Sequence, residues 1–221
     1  IAFFATRYGG VDMKFETQDG WQDTPAGVAH FLEHKLFDTK DGNALQIMAA
    51  NGADPNAFTS FGMTGYFFQC TRGFEENLRT LLGFVSEPWF TPESVAKEQG
   101  IIGQEIAMGD DEADTEVFYD LLKCLYDHHP VRTHIAGTAA SIAEITDQTL
   151  YTCHGAFYNP GNMVLTVIGD VDPERVLSIA GELVTGKATG NPRRDYGGAE
   201  PEQAVSHDSR RTMAVAAPLF Q

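Results

Sequence analysis

Three side chains close together in sequence can do chemistry in this chain. His30, Glu33 and His34 lie within the run GVAHFLEHKLF, residues 27–37. On a helix of about 100° per residue the three share an arc of roughly 100°. Two imidazoles one turn apart can grip a single metal ion, and zinc takes mainly His, Cys and carboxylate ligands. A glutamate between them stands where it can take a proton from a water activated at that metal. The order His-x-x-Glu-His inverts the commoner zinc-peptidase order. Two helix histidines and a glutamate need no metal by themselves. Here, however, Val28, Phe31, Leu32, Leu36 and Phe37 cover the rest of the helix, and ionisable groups in apolar surroundings are costly unless something pairs with them.

Two histidines leave zinc short of a protein ligand. The stretch KEQGIIGQEIAMGDDE, residues 97–112, offers Glu98 and Glu105 one heptad apart on a common helix face. Ile101, Ile102 and Ile106 make that helix a packed one. The same two-histidine, one-carboxylate set would also suit an iron facial triad, but Glu33 has no role in that scheme.

Elements must hold these residues in place. Residues 1–6 and 11–15 read as strands joined at Gly9-Gly10, and residues 18–23 as a polar connection. Thr24-Pro25 reads as an N-cap and first-turn proline for the motif helix. A second helix is expected over 41–51, then a hairpin of strands over 53–60 and 62–71. Helices follow over 74–85 and from 91 towards 127, the latter weakened by Gly100, Gly103 and Gly109 and broken near 108–114. Residues 138–145 and 146–158 are helical, 162–169 a buried strand and 173–184 a further helix. From 186 to 212 the composition turns to Gly, Pro, Arg, Glu and Ser, as in a linker, and 213–221 opens another strand.

The chain has 221 residues, 43% of them hydrophobic, enough for one large domain or two small ones. Its formal charge is −16, which argues against nucleic acid and anionic membranes as partners. No apolar run reaches the roughly 20 residues that span a bilayer. Cys70, Cys124 and Cys153 form no disulfide or zinc-knuckle pattern, so a reducing, cytoplasmic compartment is expected. Ile1 starts inside an apolar run, which reads as a piece of a longer polypeptide.

The quoted motifs, with PNAFTS, HHPVRTHIAGT and FYNPGNMVLTVIGDVDPE, resemble the inverzincins of the pitrilysin, insulysin and mitochondrial processing peptidase family. The resemblance runs over nearly the whole chain and is nearest the bacterial processing-peptidase-like members with Lys after the second histidine, as Lys35 is here. It implies an α+β fold with a mixed sheet packed against helices. Residues 1–185 would be the zinc-bearing half domain, lacking its first strand, 186–212 the connection, and 213–221 the start of an absent second half. It implies one zinc per chain on His30, His34 and Glu105, with Glu33 as general base. Glu105 follows His34 by 71 residues, close to the family spacing. Glu98 would help hold the ligands, and Asn56 and Ala57 would lie on the edge strand where a peptide substrate adds as an extra strand. The implied function is zinc endopeptidase, the alternative a non-catalytic partner subunit of the same fold. Implied partners are the second half and a related subunit in a homo- or heterodimer. His128-His129 reads as a turn, and Cys153-His154 as core or surface rather than a thiol catalytic pair.

Overall fold

The computed structural model describes residues 1–198, and the strand expected at 213–221 lies outside the described residues. In chain order the elements are β1 (Ala2–Thr6), β2 (Lys14–Thr17), β3 (Gly20–Asp23), α1 (Val28–Leu36), β4 (Asp38–Thr39), β5 (Gly42–Asn43) and α2 (Ala44–Ala50). There follow β6 (Ala53–Thr59), β7 (Thr64–Cys70), α3 (Phe74–Ser86), α4 (Pro92–Asp110), α5 (Ala113–Leu125) and a 3-10 turn, Pro130–Arg132. The last are α6 (Ala139–Ala143), α7 (Asp147–Phe157), β8 (Met163–Val167) and α8 (Pro173–Leu183).

The principal sheet has the order β6-β7-β1-β8. The class is α+β with the sheet against helices, as expected. All three pairings are antiparallel rather than mixed. Strand alternation sends Ala2, Phe4, Tyr66 and Phe68 into the core, while Phe3 and Phe67 face the other way. Against the inner face α1 buries Phe31, Leu32 and Leu36, and α7 buries Leu150 and Phe157. The helix α1 is enclosed by α4, α7, β6 and β7, so it is buried on several sides and its functional face is fixed by packing.

Several expectations are corrected. The strand expected over 11–15 does not form a hairpin with β1. Gly10 and Val11 donate their N–H groups to Ser60 and Phe61, and the Gly9 N–H donates to the buried Asp12 carboxylate at 2.8 Å. The strand begins later, as β2, and pairs with β3, inside the segment read as a polar connection. Thr24-Pro25 does not cap α1. Thr24 spends its hydroxyl on Met13 O, 2.9 Å away, and α1 starts after Gly27 at φ +96°. The second helix starts at Ala44, capped by Asn43, whose side chain accepts from Leu45 and Gln46 N–H. The break in the long helical stretch falls at Asp111-Glu112, within the span expected. Residues 190–197, in the stretch read as a linker, lie on the body. Glu16 N–H donates to Arg193 O and Asp195 N–H to Lys14 O, each at 2.9 Å, and Arg194 pairs with the buried Asp12 at 2.5 Å. Among the described residues no helix is long and apolar enough to cross a membrane.

Candidate metal centre

The site is assembled from α1, α4 and the edge strand β6. One turn of α1 separates His30 from His34, and their ring centroids are 4.6 Å apart. Facing them, α4 supplies Glu105. Its Oε1 lies 3.4 Å from His30 Nε2 and its Oε2 3.5 Å from His34 Nε2. Donor atoms of all three residues fall within 4.8 Å of one another. The nearby His30 imidazole holds the Glu105 carboxyl below its usual range against the opposing effect of partial burial, with the charge of His34 contributing. Burial works to lower the pKa of His34, but the bond to Glu98 and the charges of Glu105 and Glu33 outweigh it and push it up. The cleft therefore favours a positive charge on His34.

The same geometry tests whether zinc fits. With bonds of about 2.1 Å, the corners of a tetrahedron lie about 3.4 Å apart, which matches the spacing of the carboxylate oxygens from the two Nε2 atoms. Those spacings are long for hydrogen bonds. Two imidazoles and a carboxylate form a zinc-type donor set. His34 Nδ1 donates to Glu98 Oε1 at 3.0 Å, so one ring is already oriented by a carboxylate behind it. His30 Nδ1 is buried and has no hydrogen-bond partner among the described residues.

Glu33 points from the same helix and is 8% exposed. Thr59, the last residue of β6, donates its hydroxyl to Glu33 Oε2 at 2.5 Å. Asn56 and Ala57 precede it on the free edge of the sheet. There the Ala57 N–H is taken by the Asn56 side chain, at 2.8 Å. Glu33, His34, Glu98, Asn56 and Ala57 line one cleft of about 420 Å³. The fold thus brings every site residue expected from the sequence into one neighbourhood. Thr59 was not among them. Its signal is the period-2 alternation of β6, which places residues 55, 57 and 59 on the less exposed side.

The remaining chemistry-bearing residues lie elsewhere. Cys153 is buried, its thiol pushed up to about 12 by desolvation, and His154 gives its Nε2 to Val85 O at 2.8 Å. They are core. His129 Nδ1 accepts from Val131 N–H and caps the 3-10 turn. A second cluster, Asp110, Glu116 and His134, borders a cavity shared with Lys123 and Arg132, whose charges oppose a cation.

Comparison with known proteins places the chain. A family profile described as Insulinase (Peptidase family M16) matches residues 21–139, and one described as Peptidase M16 inactive domain matches 144–214. The zinc protease YmfH of Bacillus subtilis is 48% identical over 179 residues, 80% of this chain and 42% of that protein. A zinc protease of Mycobacterium tuberculosis, Rv2782c, is 31% identical over 86% of this chain and 46% of its own length. An M16-like peptidase structure from Alicyclobacillus acidocaldarius superposes with a TM-score of 0.82 at 40% identity, over 88% of this chain and 46% of that one. Pitrilysin, at 15% identity and a TM-score of 0.69, shares the fold. The chain spans a little under half the length of these two relatives and of the Alicyclobacillus chain.

Proposed function

The chain belongs to the insulinase (M16) peptidase family, and from that premise we propose that it is the zinc-bearing half of a zinc endopeptidase. The observation that carries the proposal is the convergence of His30 Nε2, His34 Nε2 and the Glu105 carboxylate at zinc-ligand spacing, with Glu33 on the same helix. His30, His34 and Glu105 would hold one zinc ion. Bound there, zinc supplies a Lewis acid for the peptide carbonyl and lowers the pKa of water.

This chain's residues do the rest. Glu33 takes the proton of the attacking water and passes it to the leaving amine. Glu98 orients His34 through its Nδ1. The edge of β6 at Asn56 and Ala57 receives the peptide as an added strand, so main-chain hydrogen bonds hold the scissile bond beside Glu33. A second half of the polypeptide closes the cleft, and a related subunit is a further partner.

A non-catalytic partner subunit of the same fold is the other reading. Such a subunit has no use for His30, Glu33, His34 and Glu105 together. None of the four lies in the stretch matched by the inactive-domain profile. The test is peptide turnover by the intact polypeptide before and after chelation. The proposal expects turnover to vanish with the metal and to return with one equivalent of zinc. Turnover indifferent to the chelator, or no turnover with zinc bound, would overturn it.

A further inference from the structure

We infer that Thr59 is a positioning residue for Glu33, fixing which carboxylate oxygen faces the cleft. The inference rests on the reading of Glu33 as general base. A glutamate side chain on a helix has three rotatable bonds, and a proton acceptor works only when its oxygen is held within hydrogen-bond reach of the water. Thr59 Oγ1 stands 2.5 Å from Glu33 Oε2. That is the short end of an O–H···O distance and typical of a bond to a charged acceptor. With Oε2 tied back to the strand, Oε1 is the oxygen left for the proton.

The surrounding bonds show that the Thr59 hydroxyl has no other task. Its register partner Thr64 donates its single proton to Tyr8 O at 2.8 Å, and the Thr59 and Thr64 oxygens are 3.5 Å apart, too far for a good hydroxyl bond. The turn that follows β6 is closed by Ser60, whose N–H and hydroxyl both reach Met63 O, at 2.8 and 3.0 Å. Neither pairing of strands nor closing of the turn uses the Thr59 side chain. Strand alternation puts Ala57 and Thr59 on the same side of β6. The strand that would receive the peptide is therefore also the strand that aims the base.

Three variants in the intact, zinc-loaded polypeptide test this. Thr59→Val keeps the side-chain shape and removes the donor. It is expected to lower kcat about 10- to 100-fold while leaving KM within about twofold and zinc retention against a chelator unchanged. Thr59→Ser returns the donor and is expected to recover kcat to within about threefold. In a Glu33→Gln background, Thr59→Val is expected to change residual turnover by less than about twofold, because the group it acts through is gone. In metal-free protein, denaturant unfolding of the two single variants and the double variant is expected to be non-additive, independently of any turnover. Unchanged kcat in Thr59→Val, a loss that Ser does not recover, or additive losses would overturn the inference. If Glu33→Gln itself turns over at the wild-type rate, the base assignment falls instead, and the metal-free cycle alone decides whether Thr59 and Glu33 are coupled.

Discussion

Glu98 and Glu105 sit one heptad apart on α4, yet their carboxylates meet different atoms of the same imidazole. Glu105 reaches His34 Nε2 and Glu98 reaches His34 Nδ1. This difference predicts that Glu105→Ala loses zinc far more severely than Glu98→Ala, since only the first removes a donor. Loss of an orienting carboxylate costs about 10–100-fold in affinity. Competition with a chelator measures both, and equal or reversed losses would mean the roles are exchanged. At this scale the sequence shows the local part. His30, Glu33 and His34 are legible because helical spacing alone sets their mutual positions. The choice between Glu98 and Glu105 needed the family resemblance, because it depends on how α4 crosses α1. Thr59 went unread because its partner lies 26 residues away in the chain and only the phase of a strand connects them.

The element on which the site depends is α1, and its start is fixed by glycine. Gly27 has φ +96°, and a Cβ there would lie 2.6 Å from Ala136 O and 3.2 Å from Gly137 Cα. The chain after the 3-10 turn therefore packs directly on the helix N-terminus. Gly27→Ala is predicted to destabilise the fold by roughly 2 kcal/mol or more, from the left-handed backbone and the clash together. It is also predicted to weaken zinc binding, since both histidines ride on α1. Thermal unfolding of the metal-free protein and a zinc titration check the two effects, and an unchanged melting temperature would contradict the prediction. The long elements were legible from periodicity and punctuation: α3, α4, α7, β6 and β7 stand close to where the pattern put them. The start of α1 and the β2–β3 hairpin were not. Thr24 resembles a cap, but its hydroxyl is spent on Met13, and that competition is invisible without the fold.

At the scale of the whole molecule, pH tests the core and chain length tests the function. His154 is buried beside Tyr158, with ring centroids 4.7 Å apart, and desolvation lowers its pKa to about 4. The unfolded imidazole titrates near 6.5, so between about pH 4 and 6.5 the unfolded chain binds the extra proton. Stability from this group is thus complete above about pH 6.5 and is lost as pH falls towards 4, by about 3 kcal/mol in all. Chemical unfolding of wild type and His154→Gln across pH 4–8 should show this loss in wild type only, and parallel curves would rule it out. The chain spans under half of YmfH. The proposed metal ligands and base all lie between His30 and Glu105, so residues 1–221 are predicted to bind zinc yet turn over peptide at least about 10²-fold more slowly than the intact polypeptide, for want of the donors and enclosure a closing half would supply. Equal turnover by the two would show the rest to be dispensable. The α+β class was legible through the family resemblance that the motifs carry. The docking of residues 190–197 on β2 was not, because their Gly- and Arg-rich composition reads as a tether while their backbone bonds and the buried Arg194–Asp12 pair are long-range.

The central claim is that His30, His34 and Glu105 hold zinc while Glu33 moves the proton, and Glu33→Gln separates the two tasks most directly. Zinc content and peptide turnover are measured side by side on the intact polypeptide and this variant. The predicted result is one zinc per chain in both, with turnover reduced about 10²- to 10⁴-fold in the variant. A variant that loses its zinc, or one that cleaves at the wild-type rate, would contradict the account.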